Sequence, residues 1–357
     1  MSSIAMSGEE ESEYRKINIL ISAYNEEKNI EDTISKIFQN IDNEYIKNIY
    51  ISDDGSTDNT LSILQSLQDK YSKIIIEKNN RIGKPNALQK IVDKYNLCSN
   101  DNILVLMDAN IELDSGCLSS MMQKLKQDTS IGIIGASVNP QNEIENLESE
   151  YILRENKIKS EESRTTGYTV GTFGACYAMK GELFRTMPSH FITDDLFHTF
   201  SVISQKKRVL YDMDIRVFEK IKLDISNEFK RKKRYAAGNF QILFYFWKLL
   251  LPWNSSLGFV HNYFFHKIIR WTSPVLFFSF WMMGFARLFG DYSKIISVGG
   301  TMICLFLFIN YIFQKREIPI LGMRIYYFLM MNLAILIGFF DYLKGVKSNV
   351  WERSERV

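Results

Sequence analysis

The sequence predicts an α/β domain built on a mostly parallel sheet, followed by an apolar region that lies in and crosses a membrane. Three observations carry this. Short β-branched runs alternate with helix-period segments as far as residue 138. Two of the runs stop abruptly on carboxylates, at Asp53–Asp54 and Asp108. The last third of the chain holds three apolar stretches close to the roughly 20 residues that a helix needs to span a bilayer.

The elements follow in order. "KINILISAY" (16–24) is a short apolar run with β-branched residues, a buried strand. In "NIEDTISKIFQNI" (29–41), Ile30, Ile34, Ile37, Phe38 and Ile41 recur at helical intervals. "NIYISDD" (48–54) is a second strand, and "STDNTLSILQSLQDKY" (56–71) a helix with Ser56 or Thr57 as its N-cap. "SKIIIEK" (72–78) is a third strand. "GKPNALQKIVDKY" (83–95) is a helix with Pro85 in its first turn, where a missing N–H costs nothing. "NILVLMD" (102–108), "SGCLSSMMQKLKQ" (115–127) and "SIGIIGASV" (130–138) read as strand, helix and strand. In sheets of this kind ligands bind beyond the carboxyl ends of strands, where Asp53, Asp54 and Asp108 lie.

Composition narrows the function. The chain has 357 residues, 46% apolar and 24% charged, with a net charge of +2 that argues against nucleic acid as a partner. Its four cysteines lie far apart without a C-x-x-C pair, so a disulfide framework or zinc site is not expected. No ligand-spaced histidine pair occurs. The acidic opening, "MSSIAMSGEEESEYRK", lacks the pattern of a signal peptide and reads as a frayed tail.

Residues 268–290, 295–313 and 325–343 are the three candidate spans, and the aromatic stretch 239–267, broken by Pro252, reads as interfacial. The basic runs "QKKRV" and "FKRKKRY" just upstream place the α/β domain in the cytoplasm. Three crossings would then leave Lys344, Lys347, Arg353 and Arg356 outside, against the same rule. The expected organisation is a flexible tail (1–15), an α/β domain (16–235), interfacial helices (236–267), about three spans (268–343) and a basic tail (344–357).

Four stretches carry chemistry. "SAYNEEKNI" ends a strand on Ala23, Tyr24 and Glu26, which can hold a nucleotide. "ISDDGSTDNT" pairs Asp53 with Asp54, whose lone pairs suit a base N–H and a ribose hydroxyl. "NNRIGKPNAL" sets Lys84 at a helix start, aimed at a phosphate. In "LVLMDANIELD", Asp108 is an anionic ligand and Asn110 a neutral oxygen donor. Such oxygen ligands suit Mg²⁺ or Mn²⁺, with the remaining positions filled by substrate phosphates.

The order S-A-Y-N-E-E, S-D-D-G-S-T-D, G-K-P-N-A-L and D-A-N resembles the membrane-bound family-2 glycosyltransferases, the inverting GT-A enzymes that include cellulose, chitin and hyaluronan synthases. The resemblance runs from residue 17 to about 272. It implies that D-A-N stands for the D-x-D metal motif. It assigns Gly174 and Ala175, in "GTFGACYAMKGELF", to the acceptor loop. It makes Asp195 the general base of a T-E-D motif, with Asp194 replacing Glu. "RKKRY" resembles Q-x-x-R-W, so Arg234 and Tyr235 close over the diphosphate, joined there by Arg231, which stands where the family has Gln. The implied activity is metal-assisted, inverting transfer from a nucleotide sugar, expected to be a UDP-sugar, to a lipid-linked saccharide or growing polysaccharide. The alternatives are transfer to polyprenyl phosphate and a non-catalytic scaffold that only binds the sugar nucleotide.

Overall fold

The computed structural model describes residues 16–141, 147–220, 224–251, 253–289 and 320–350. The expected N-terminal tail, the apolar run 295–313 and the chain end 351–357 fall outside them. Strand β1 (Ile17–Ala23) leads into α1 (Ile30–Gln39), β2 (Ile46–Asp53) into α2 (Thr60–Lys70), and β3 (Ile74–Lys78) into α3 (Lys84–Lys94). Strands β4 (Ile103–Asp108) and β5 (Ile111–Leu113) precede α4 (Cys117–Gln127) and β6 (Ile131–Pro140). The expected helix beginning at Ser56 starts instead at Thr60. Asp58 accepts from the Thr60 amide at 3.0 Å and takes the capping role assigned to Ser56 or Thr57. Those two residues are used elsewhere, in holding the loop after β1.

The second half contributes α5 (Leu147–Thr166), β7 (Cys176–Lys180), α6 (Asp194–Ser204), β8 (Arg208–Glu219) and the long α7 (Ile225–Tyr245). Then come α8 (Leu257–Asn262), a π-helical turn (Tyr263–Ile268), α9 (Ile269–Phe289) and α10 (Ile320–Leu343). The expected domain boundary after residue 235 falls inside α7, which carries the chain from the α/β domain into the aromatic region without a break.

The eight strands form one sheet in the order β3-β2-β1-β4-β7-β6-β8-β5. β3, β2, β1 and β4 run parallel, as do β6 and β8. β7 is antiparallel to both β4 and β6, and β5 to β8, so the sheet is mixed where a mostly parallel one was expected. The reason lies in the 167–175 loop. It delivers the chain to the carboxyl end of β4, and β7 must run back from there. That reversal sets Ala175 beside Asp108, whose amide donates to the Ala175 carbonyl at 2.9 Å.

Alternation along the strands divides the core between two faces. Ile19, Ile21, Val105 and Met107 face a layer from α1, α2 and α4, including Ile34, Leu64 and Leu118. Leu20, Leu104 and Leu106 face Leu88 and Ile91 of α3, Phe197 and Phe200 of α6, and Phe240, Phe259 and Trp271 from α7 to α9. The aromatic region is thus the outer layer of the same core.

Among the described residues, one helix segment, Tyr326–Leu343 in α10, is long and apolar enough to cross a membrane. It lies along α7. Lys233 pairs with Asp341 at 3.0 Å, the Phe244 and Tyr342 rings stack at 5.3 Å, and the Tyr327 hydroxyl donates to Glu148 of α5. The approach is closest at Gly338, where an added Cβ would meet the Lys233 carbonyl oxygen at 2.4 Å and the Ala236 Cβ at 2.6 Å. Gly338→Leu is therefore expected to destabilise the protein by about 1–3 kcal/mol, the usual cost of overpacking. The readout is a lower unfolding temperature. Gly284→Leu on α9, where none of the described residues lies within 4 Å of the added Cβ, leaves that temperature unchanged.

Candidate active site

At the carboxyl edge of the sheet the loops after β1, β2 and β3 are sewn together. Asn25, at φ 56°, takes a left-handed conformation that asparagine tolerates. Its backbone amide donates to Ser56 Oγ at 3.0 Å, and its side chain accepts from the Thr57 amide at 2.8 Å. The Glu26 amide donates to Thr60 Oγ1 at 2.7 Å. Asp54 is spent on the next loop. Its carboxylate accepts from the Ile82 amide at 2.7 Å, the Gly83 amide at 2.9 Å and Arg81 Nη1 at 3.1 Å. The Arg81 guanidinium also lies 3.4 Å from the centre of the Tyr24 ring. Asp54 thus organises the loop ahead of Lys84, where the sequence suggested direct contact with a base or ribose. Asp53, 3% exposed, accepts from the Ser56 amide within its own turn.

Gly83 starts α3 at φ 87° and aims Lys84 across the cleft. Lys84 Nζ donates to Asp108 Oδ1 at 2.6 Å and to the Gly174 carbonyl at 3.1 Å, and stands 3.7 Å from Asp194 Oδ2. Burial works against its charge, yet Asp108 and Asp194 hold the ammonium above the ordinary lysine range. One cation thereby joins the end of β4, the Gly174 loop and the start of α6.

Asp195 faces that loop: a Cβ added to Gly174 would lie 3.5 Å from the Asp195 carboxyl. Burial, and then the neighbouring charge of Asp194, push Asp195 up to about 6, while its bond from the Leu196 amide, Lys84 and Lys159 pull the other way. One turn on, His198 Nδ1 lies 2.7 Å from the Tyr177 hydroxyl, and burial lowers the imidazole to about 4. It is a neutral prop under the α6 N-terminus.

The sequence reading missed α5 because the buried face of that helix is ionic. Glu148, Tyr151, Glu155, Lys159 and Glu162 recur at helical spacing and turn inward, while Leu153 is 44% exposed. Polar residues at helical spacing were the available signal, read with the opposite sign from usual. Glu162 accepts from Thr169 Oγ1 at 3.0 Å and the Val170 amide at 3.1 Å, and Lys159 donates to the Gly171 carbonyl. Together they grip the loop that carries Gly174. Burial, with Lys267 beside it, lowers Lys159 to about 8. Glu155 takes Arg270 and, at 3.3 Å, His266; although burial opposes it, Lys267 and these partners hold its carboxyl well below the usual range.

Arg231, expected at the diphosphate, pairs instead with Glu148 and, at 2.7 Å, with Glu228. It ties α7 to α5. Arg234 differs. Its Nε is buried without a hydrogen-bond partner among the described residues, and its guanidinium lies 5.0 Å from the Tyr235 ring centre.

A cleft of about 440 Å³ takes in Tyr24, Glu26, Asp54, Lys84, Asp108, Asn110, Gly174, Ala175, Asp194, Asp195, Arg231, Arg234 and Tyr235 along its walls. Ala23 and Asp53 are not in those walls: Ala23 is fully buried in β1, its carbonyl taken by the Asp54 amide at 2.8 Å. The walls also include residues that the sequence did not mark, among them Arg81, Lys159, Glu219, Lys232 and Asn349. Asn349 arrives from the chain beyond α10 and packs on Gly83. Asp108 and Asn110 both line the cleft; among the described residues no group of three or more His, Cys, Asp or Glu side chains is placed to hold a metal ion, so a hard divalent cation there would have to draw most of its ligands from phosphate and water. Asp194 Oδ2 has no hydrogen-bond donor of its own among the described residues, which leaves an acceptor on the same wall.

Comparison with known proteins accords with this geometry. Residues 18–185 match the family described as Glycosyl transferase family 2, and residues 103–340 match Glycosyl transferase family group 2. A poly-beta-1,6-N-acetyl-D-glucosamine synthase of Staphylococcus aureus is 24% identical over 239 residues, 65% of this chain and 56% of the synthase, so the chain spans little more than half the length of that relative. The Staphylococcus epidermidis protein of the same name is 26% identical over 119 residues, 33% of this chain and 27% of that one. A mannosyltransferase from Pyrobaculum calidifontis, solved in complex with GDP-Man and Mn²⁺, superposes with a TM-score of 0.62 at 16% identity over 93% of this chain and 88% of its own, which establishes the shared fold. With more than half of its residues matched, from β4 through α10, the chain belongs to the family-2 group of glycosyltransferases.

Proposed function

We propose that the chain transfers a sugar from a nucleotide-sugar donor to a hydroxyl of a lipid-linked or growing saccharide, with inversion. The observation that carries this is Lys84, which draws Asp108 and Asp194 to one point beside Asp195 and the Gly174 loop. The names of the related proteins, a polysaccharide synthase and a mannosyltransferase bound to GDP-Man and Mn²⁺, support the class.

In this reading Tyr24, Arg81 and Glu26 border the nucleoside. Lys84 and Arg234 meet the diphosphate with charge-assisted hydrogen bonds. Asp108 and Asn110 would hold Mg²⁺ or Mn²⁺, which when bound neutralises charge on the leaving diphosphate. Asp195 accepts the proton of the acceptor hydroxyl as that oxygen bonds to the anomeric carbon. The bond from that carbon to the diphosphate oxygen breaks, and its electron pair leaves with the nucleoside diphosphate. Lys159 holds the loop on which the acceptor rests.

The membrane belongs to the same proposal. Exposed aromatic side chains at Tyr245 (55%), Trp247 (51%), Trp253 (74%) and Phe265 (59%) suit the headgroup layer. α10 stays on α7 through Lys233 and Asp341, and Asn349 packs on Gly83, which supports Lys344 and Lys347 lying on the same side of the membrane as the cleft.

The direct test is transfer of radiolabelled sugar by the purified full-length protein in lipid, across a panel of sugar nucleotides, with and without Mn²⁺. Saccharide acceptors and polyprenyl phosphate are supplied separately. Label appearing only on polyprenyl phosphate overturns the acceptor assignment, and donor binding without transfer to any acceptor favours the scaffold. Asp195→Asn is expected to keep donor binding and lose transfer by about 10²–10⁴-fold.

Turnover should rise with pH through about 6, as the Asp195 carboxylate becomes able to accept a proton. Stability runs oppositely. The folded-state pKa is raised above the ordinary value, so the carboxyl stabilises the fold fully at low pH and loses that contribution as pH rises through about 6. Asp195→Asn should therefore unfold later than the parent at pH 7.5, by on the order of 1–3 kcal/mol, the difference shrinking as pH falls and vanishing below about pH 3. The two arginines of α7 should separate. Arg231→Ala breaks a buried ion pair and costs about 3–5 kcal/mol of stability. Arg234→Ala should lower turnover and leave the unfolding temperature within a degree or so.

A further inference from the structure

The cleft holds cations besides Arg81 and Lys84, and three parts of the chain deliver them. Lys159 comes from α5, Lys232 from α7, and Lys267 and Arg270 from the π-helical turn and α9. The Tyr151 ring of α5 ties this group together. Lys232 Nζ lies 3.8 Å from the ring centre and the Arg270 guanidinium 5.3 Å from it, and Arg270 also donates to the Tyr151 hydroxyl. Carboxylates are scarce beside these cations. Glu155 already takes Arg270 and His266, and Lys267 Nζ stands 3.9 Å from it, beyond hydrogen-bond reach. Lys232 makes no ion pair or hydrogen bond among the described residues, its ammonium resting on the Tyr151 ring. Lys159 links the group to Asp195, since its charge bears on Asp195 and that of Lys267 bears on Lys159. Trp271 of α9 and Ile335 of α10 line the same cleft, so the cations sit where the sheet domain meets the apolar helices.

We propose that Lys232, Lys267 and Arg270 hold the phosphate of a lipid-linked acceptor, whose saccharide extends from there to Asp195. The inference rests on the glycosyl-transfer reading above and names its acceptor class: a saccharide carried on a phosphorylated lipid. A phosphate accepts several charge-assisted hydrogen bonds at once, from the Arg270 fork and from both ammonium groups. Its charge offsets the cost of holding ammonium groups in a partly dry wall. The apolar chain of such a lipid finds Trp271 and Ile335 beside it. The donor diphosphate is served separately, by Lys84 and Arg234. A phospholipid headgroup offers the same phosphate chemistry, and the test separates the two sources.

The test is binding of tritiated farnesyl phosphate by the full-length protein in phosphatidylcholine nanodiscs. Farnesol, the same chain without the phosphate, is the reference. Lys232→Gln and Lys267→Gln are each expected to weaken farnesyl phosphate binding about 10-fold, as loss of a charge-assisted hydrogen bond does. Binding of farnesol and of UDP or GDP should stay as in the parent, and Lys232→Arg, which keeps the charge, should retain farnesyl phosphate. A uniform loss of all these ligands marks a structural role and overturns the inference. So does a parent that binds farnesyl phosphate no better than farnesol, or variants that bind it as the parent does; glycosyl transfer then stands. Displacement of farnesyl phosphate by phosphatidylglycerol at equal mole fraction makes the group a headgroup anchor and overturns the acceptor assignment. A parent that binds no sugar nucleotide overturns the transfer reading as well.

Discussion

Lys84 stands between acidic groups that the chain delivers from opposite halves of the sheet. Asp108 ends β4, and Asp194 opens α6 more than eighty residues later. Without a cation between them, these carboxylates would face each other across a partly buried cleft, with like charges raising the cost of both. The ammonium removes that cost and adds a bond to the Gly174 carbonyl. The pairs are partly exposed, Lys84 at 27% and Asp108 at 30%, so their worth as plain salt bridges is modest. Their consequence is geometric: the end of β4, the Gly174 loop and the start of α6 share one fixed point. Asp195, next along α6, faces the Gly174 loop on the same wall of the cleft.

A second constraint explains why the 167–175 loop keeps its shape against a region rich in exposed aromatics. α5 inverts ordinary amphipathicity. Its inward face is charged, and those charges are engaged with other parts of the chain. Glu148 holds Arg231, Glu155 holds Arg270, Glu162 holds His266, and Lys159 holds the loop. Buried ion pairs of this type add little net stability, because desolvation consumes most of the attraction. They do discriminate strongly against misregistered packing, since a slip of one turn would leave several charges unpaired at once. A purely apolar interface between α5 and α7 would tolerate such a slip. The ionic one fixes the relative position of α7, and hence of Arg234, with respect to Asp195.

Much of the fold was legible because strand and helix periodicity in the first half is clean. Alternating Ile and Leu in β1 and β4 bury both faces, and α1 to α4 present apolar stripes. Legibility failed where local rules yield to tertiary demands. Ser56 and Thr57 look like caps, yet they bond Asn25, and α2 begins later. Asp54 looks like a ligand group, but three donors of the following loop already satisfy it. Arg231 follows the pattern of a phosphate-binding basic run, while its partners lie in a helix with no hydrophobic signal. β7 could not be anticipated as antiparallel, because its direction is set by the loop that must return to Asp108. Of the candidate residues, those named from carboxylates at strand ends or helix starts fell mainly in the cleft. Ala23, inferred from proximity in sequence, did not.

Asn349 adds a connection that sequence distance conceals. The chain leaves the α/β domain at α7, runs through α9, and returns along α10 to set Asn349 on Gly83. Any side chain at position 83 would meet that asparagine: an added Cβ lies 2.3 Å from Asn349 Oδ1. Gly83 therefore satisfies two demands together. Its φ of 87° turns the loop into α3 and aims Lys84, and its missing side chain leaves room for the returning segment. Displacing α10 from α7 must draw on the segment that ends at Asn349, and with it on the wall beside Lys84. The apolar region is in this sense part of the cleft wall. Its packing bears on the position of the cation that links Asp108 to Asp194, which is why α10 meets α7 through a close glycine contact and an ion pair as well as through stacked rings.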